Sequence, residues 1–134
     1  MKKFREAAEA HDCDAMAALL ADDVRFISPV AFKPYEGKAV TAAILRGVMR
    51  VFTDLRYERE IVDGRQSALI FRAMVGDTEV NGCDFITVGP DGLITEFMVM
   101  VRPLRGANAL AEAMGAQFDQ ILAEAAADMT DSQE

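Results

Sequence analysis

Residues 79–101 read EVNGCDFITVGPDGLITEFMVMV, two runs rich in β-branched and aromatic residues on either side of Gly89-Pro90-Asp91-Gly92. Pro90 presets the φ angle of a type I turn and Gly92 accepts the left-handed conformation that closes it, so the stretch is expected to be a β-hairpin. Strict alternation puts Asp84 on one strand face with Val80, Gly82, Ile86 and Val88. A carboxyl group on a row that is otherwise apolar or empty adds nothing to a core. It is costly to bury unless neutral or partnered, which makes Asp84 the first candidate for a functional residue.

The turns recur along the chain. Residues 55–62 alternate around Leu55, Tyr57, Arg59 and Ile61; Asp63-Gly64 turns, residues 67–75 run back, and Gly76-Asp77 leads into the hairpin, giving a four-strand antiparallel meander. Upstream, residues 38–52 carry Val40, Ile44, Val48, Val51 and Phe52 at helical spacing, a face wide enough to lie across a sheet. Pro29 and Pro34 stiffen a loop that ends at Gly37 and is expected to bring Phe32 and Tyr35 near the mouth of the domain. Val24 to Ser28 reads as a short strand with Val24, Phe26 and Ser28 on one side. Two helices precede it, residues 3–11 and a second capped by Asp12, with Asp22 and Asp23 ending the latter. His11, at their junction, reads as a partner of the first helix's C-terminal dipole and not as a base. Downstream, residues 107–127 form an Ala-rich helix with Leu110, Met114, Phe118, Ile121, Leu122 and Ala125 on one stripe, expected to close over something apolar. A polar tail, 128–134, is expected to fray.

The 134 residues suit one domain, over 1–127, and 51% apolar content lets it fold without staples. Lys+Arg 14 against Asp+Glu 22 gives 14 − 22 = −8, and without a long basic cluster nucleic acid is not expected as a partner. The N-terminal stretch has no continuous apolar run, so neither a signal peptide nor a membrane partner is expected and the location is read as cytoplasmic. Cys13 and Cys83 form no CxxC and read as two small buried hydrophobes. With one His and no carboxylate cluster, neither metal nor other cofactor is expected.

Helices with a strand among them and then a meander argue for an α+β domain: a strongly curved, cone-shaped antiparallel sheet wrapped around N-terminal helices, with a C-terminal helix. Its concave side would be lined by Phe26, Ser28, Leu55, Tyr57, Phe71, Asp84, Ile86, Phe97 and Val99, with Gly82 leaving space. Mostly apolar walls with a few convergent polar groups describe a small-molecule site. Substrate-binding roles therefore fall to Phe26, Ser28, Tyr57, Phe71, Gly82, Phe97 and Val99, and a catalytic role to Asp84.

The hairpin, an Asp followed by four strand residues, a Gly-rich turn and a second long strand, resembles the ketosteroid isomerase segment that supplies a protonated, hydrogen-bond-donating Asp. His11 to Pro29, Tyr35-Glu36-Gly37-Lys38 and Asp84 to Gly92, in an order that spans nearly the whole chain, are similar to the nuclear transport factor 2-like superfamily and within it to the SnoaL-like, polyketide cyclase-related group. The resemblance implies a cystatin-like α+β roll; for function it spans isomerases, hydrolases, cyclases, dehydratases and pure binding domains. Carried over by residue, the isomerase base position is Ser28 and the oxyanion Tyr position is Phe4, so only Asp84 matches. Ser28, of ordinary hydroxyl acidity, cannot remove a carbon-bound proton at neutral pH. SnoaL-like cyclases use an Asp from this region of the sheet. The Asp-Arg-Asp relay of limonene epoxide hydrolase relatives has no matching set among Tyr57, Arg59, Arg72 and Asn81.

The function expected is binding of a small hydrophobic or cyclic metabolite, with acid/base chemistry through Asp84. The alternative is a carrier or sensor without chemistry. A third reading has eight Met and eight Phe filling the cone solid. On the convex face, Ile70, Met74, Cys83, Phe85, Thr87, Met98 and Met100 would form a contiguous patch, from which a homodimer is expected, an arrangement the superfamily resemblance also implies.

Overall fold

The computed structural model describes residues 1–132. Two short helices, α1 (Lys2–Glu9) and α2 (Cys13–Ala18), lead into β1 (Leu20–Ile27). Then come β2 (Tyr35–Glu36), α3 (Lys38–Val51), β3 (Phe52–Asp63), β4 (Gln66–Val75), β5 (Thr78–Val88), β6 (Ile94–Arg102), α4 (Leu104–Gly115) and α5 (Phe118–Ser132). The six strands form one sheet in the order β2-β1-β6-β5-β4-β3, with β1 parallel to β6 and the other pairs antiparallel. This is the expected α+β class. The helices pack on the concave side, so the core lies between them and the sheet.

Local chemistry accounts for the junctions. His11, at φ 54°, ends α1 in the left-handed region, with its N–H on the Ala8 carbonyl (3.0 Å) and the Asp12 N–H on that of Ala7 (2.8 Å), a Schellman closure. Asp12 then caps α2 by accepting from the Ala15 N–H at 3.1 Å. His11 is exposed and takes no part in the concave side.

Four expectations are corrected. The strand before the Pro-rich loop begins at Leu20, not Val24; α2 stops at Ala18, and a register irregularity between Leu20 and Arg25 leaves both Asp22 and Asp23 in solvent. In β3 the alternation breaks between Tyr57 and Arg59, so Tyr57 faces Phe71 on the concave side while Arg59 and Ile61 pair with Ile70 and Ala68 on the convex one. The C-terminal helix is two helices, because α4 lies on β4, β5 and β6 while α5 lies on α3, and one straight helix cannot follow both. Gln117 pins the break by donating to the Gly47 carbonyl (2.8 Å) and accepting from Arg50 Nε (2.7 Å). Of the tail expected to fray from Asp128, residues 128–132 instead continue α5, with Asp128 accepting from Arg46 Nη2 at 2.9 Å, while 133 and 134 lie outside the described residues.

Gly82 is also not the gap that was expected. A Cβ there would stand 2.7 Å from Phe71 Cε1 and 2.8 Å from the Met100 carbonyl oxygen, so the Phe71 ring already occupies that space. Gly82→Ala is expected to destabilise the fold by about 1–3 kcal/mol through overpacking. Gly115→Ala, whose Cβ meets nothing within 4 Å, should be neutral or slightly stabilising. Urea unfolding of the two variants checks the contrast; equal effects would contradict it.

Candidate functional site

Between the concave sheet face and the helices lies a cavity of about 270 Å³. The cone is not packed solid. The sheet contributes Phe26, Phe52, Leu55, Tyr57, Phe71, Asp84, Phe97 and Val99; α3 contributes Ile44, Leu45, Val48 and Met49; and α4 and α5 close it with Leu110, Met114, Phe118 and Ile121. The C-terminal helices thus cover the cavity and not the back of the sheet. Ring contacts fix the aromatic wall: Phe97 meets Phe4 edge-on at 5.1 Å and Phe26 at a tilt at 5.6 Å, and Phe71 meets Tyr57 edge-on at 5.9 Å and Phe52 at a tilt at 5.7 Å between ring centroids.

Asp84 sits on β5 between Leu69 of β4 and Val99 of β6, 5% exposed, on the cavity wall. Its Oδ2 accepts a hydrogen bond from the Tyr57 hydroxyl at 2.7 Å. Burial raises the Asp84 carboxyl to about 7, against a tendency of the Tyr57 hydrogen bond to lower it. Tyr57 is itself pushed well above 10, first by burial and then by the Asp84 charge and hydrogen bond, so it remains the donor. Near neutral pH the pair therefore presents a carboxyl that can give or take one proton, with one oxygen held by Tyr57.

Of the residues assigned from sequence, Phe26, Ser28, Tyr57, Phe71, Asp84, Phe97 and Val99 line the cavity together; Gly82 does not, being covered by Phe71. Ile86 is buried but is not on the wall. Of the two loop aromatics, Tyr35 lines the cavity while Phe32 is fully exposed. The sequence reading expected the C-terminal helix to close over something apolar, but it assigned no residue of α3, α4 or α5 to the lining, although their apolar stripes carried that signal. No group of three His, Cys, Asp or Glu placed to hold a metal occurs among the described residues; both cysteines are free, and they are half-buried, not the buried hydrophobes expected. No helix among the described residues is long and apolar enough to cross a membrane.

The SnoaL-like domain family matches residues 1–97. The chain belongs to this family. It lies in the nuclear transport factor 2-like superfamily. A steroid delta-isomerase from Pseudomonas aeruginosa is 40% identical, with a TM-score of 0.85, over 91% of this chain and 90% of that one. A protein with a cystatin-like fold from Silicibacter pomeroyi is 38% identical, with a TM-score of 0.83, over 87% and 82%. No curated protein matches the chain. This SnoaL-like domain has the cystatin-like architecture expected of it.

The raised Asp84 value carries a stability consequence. Because about 7 lies above the ordinary 3.8, the folded state binds more protons than the unfolded one between those values, and stability falls as pH rises through that window. The full effect is on the order of 4 kcal/mol. The isosteric Asp84→Asn variant has no such term and is expected to gain on the wild type steadily from pH 4 to pH 8. Parallel urea titrations measure this; a constant difference between the two proteins would contradict the raised value.

Proposed function

We propose that this SnoaL-like domain binds a small neutral hydrophobic or cyclic molecule in its cavity through an oxygen set on Asp84. Acid/base chemistry of isomerase, cyclase or dehydratase type is then carried by the same carboxyl. The observation supporting this reading is the placement of the one carboxyl among the described lining residues in a mostly apolar wall, held by Tyr57 with an affinity for protons centred near neutrality. Protonated, Asp84 donates to a carbonyl oxygen and polarises it; ionised, it accepts a proton. The 40% identity to a steroid delta-isomerase supports isomerase-type chemistry. Ser28 and Phe4, at the positions the isomerase resemblance gives to a base and an oxyanion Tyr, remove two of its three residues and favour a second reading, a carrier or sensor that binds without turnover. The proposal needs no cofactor.

The neutral ketone 2-decalone serves as a probe, its affinity followed by NMR titration from pH 5 to 9. With protonated Asp84 as donor, affinity is expected to hold below pH 7 and to fall up to about tenfold per unit above it, while Asp84→Asn shows no such dependence. A wild-type affinity independent of pH would contradict the role of Asp84. Conversion of a β,γ-unsaturated ketone to its conjugated isomer, read by ultraviolet absorbance and abolished in Asp84→Asn, supports the enzyme; binding that survives the substitution, with no wild-type turnover, selects the carrier.

A homodimer through the convex sheet face is proposed alongside. Register supports it: Ile61, Ala68, Phe85, Met98 and Ile27 stand side by side across five strands, and Ile70, Cys83 and Met100 form the next row. Ile61 is 56%, Phe85 37% and Met100 53% exposed in the single chain. A broad flat face of this kind is better covered by a second sheet than by a helix, and the C-terminal helices lie on the other side. Sedimentation equilibrium at micromolar concentration is expected to give twice the 14.6 kDa of one chain, and Met98→Lys to dissociate the pair. A monomeric wild type contradicts the proposal.

A further inference from the structure

We propose that the ligand carries two neutral oxygens, one set on Asp84 and the other on the hydroxyls of Ser28 and Tyr35 at the β1–β2 side of the cavity. This rests on the reading of the cavity as a ligand site and specifies what that site selects. Ser28 and Tyr35 both line the cavity. The Tyr35 hydroxyl has no hydrogen-bond partner among the described residues. Ser28 Oγ accepts from the Val30 N–H at 3.1 Å, which leaves its own proton free to donate. Apart from the Asp84–Tyr57 pair, two hydroxyl donors therefore stand on a mostly apolar wall, and a half-buried phenol without a partner among the described residues is a group that an incoming acceptor would satisfy.

The sheet sets their distance from Asp84. β1 and β6 run parallel with Ile27 opposite Met98, so Ser28, the next residue, reaches the level of Val99, which is itself paired with Asp84. Two strand spacings, about 10 Å, separate the two polar poles at the backbone, with Val99 between them. Hydrogen bonds of about 2.8 Å at each end take up part of that span. The ligand oxygens then stand one or two rings apart. The cavity of about 270 Å³ holds the equivalent of about nine waters, the scale of a bicyclic skeleton. No Lys, Arg or His lines it, and the chain carries a net charge of −8, so a carboxylate or phosphate at the second pole would be both unpaired and repelled. At the position where the isomerase resemblance puts a base, this chain thus has a binding anchor.

The test compares 2-decalone with decalin-2,6-dione, which keeps the skeleton and adds the second oxygen, by NMR titration at pH 6 on wild type, Tyr35→Phe, Ser28→Ala and Asp84→Asn. The dione is expected to bind wild type about fivefold or more tightly than the monoketone. Tyr35→Phe, alone or with Ser28→Ala, should bring the dione down to the affinity of the monoketone, while Asp84→Asn changes the affinity of both probes. Equal affinity of the two probes for wild type overturns the two-pole inference and leaves the ligand site intact. Tyr35→Phe weakening both probes equally overturns it as well, since that marks a structural role. If neither probe binds wild type, the ligand-site reading falls and this inference falls with it.

Discussion

Asp84 can be buried in an apolar concavity because Tyr57 meets it there, and a series of smaller constraints puts Tyr57 in place. Gly82, two residues before Asp84 on the same strand face, has no side chain, and Phe71 settles over it. Phe71 in turn packs edge-on to Tyr57, its partner across β3 and β4. Irregularities in β3 on either side of Tyr57 turn its ring inward; at the first of them Asp54 takes φ 54°, a conformation that Asp tolerates better than most residues. The Tyr57 hydroxyl then donates to one carboxyl oxygen and leaves the other to the cavity. Without that donor the carboxyl would lose the one hydrogen bond it has among the described residues, and its charged form would be harder still to bury.

The wall opposite the sheet is held by different forces. Ile121 and Ala125 of α5 are buried against α3, and Gly47 allows the approach, since a Cβ there would stand 2.9 Å from Ile121 Cδ1. Around this seam Arg46 reaches Glu124 and Asp128, each at 2.9 Å, and Arg50 reaches Glu124 at 3.0 Å and Gln117 at 2.7 Å. These pairs are partly exposed, where ion pairs contribute little on average; a shared carboxylate that binds two guanidinium groups does more for register than for stability. Apolar burial holds α5 down and the charges fix where along α3 it sits, which determines that Phe118 and Ile121 face the cavity.

Much of this was legible in the sequence because it rests on short-range rules. The Gly89–Gly92 turn, the period-2 rows of β4, β5 and β6, the Asp12 cap and the stripe of α3 are each decided by a few neighbouring residues, and Asp84 stood out because it broke one of those rows. What was not legible depends on partners distant in the chain. The parallel pairing of β1 with β6 starts the strand at Leu20, because the Ile94 N–H finds the Leu19 carbonyl at 2.8 Å. The bulge beyond Tyr57 flips Ile61 outward, and no local signal in residues 55–62 announces it. A glycine on a concave row reads equally well as empty space or as a seat for a neighbour's ring. Only the position of Phe71 decides between them.

Identity of 40% to a steroid delta-isomerase does not by itself transfer the chemistry, because a scaffold and the chemistry it carries answer to different residues. The cone requires the turns, the apolar rows and the helix stripes, dozens of positions that each tolerate a similar side chain. A proton relay requires a particular group at each of a few positions. Here the position resembling the isomerase oxyanion Tyr is Phe4, whose ring packs on Phe97 at 5.1 Å with no hydroxyl to offer. The position resembling the base is Ser28, whose oxygen accepts from Val30 and stiffens the turn into the Pro-rich loop. Both residues are well accommodated by their surroundings. The remaining carboxyl is held by a tyrosine from a different strand, and burial keeps its proton affinity near neutral pH, which neither the turns nor the apolar rows of the cone require.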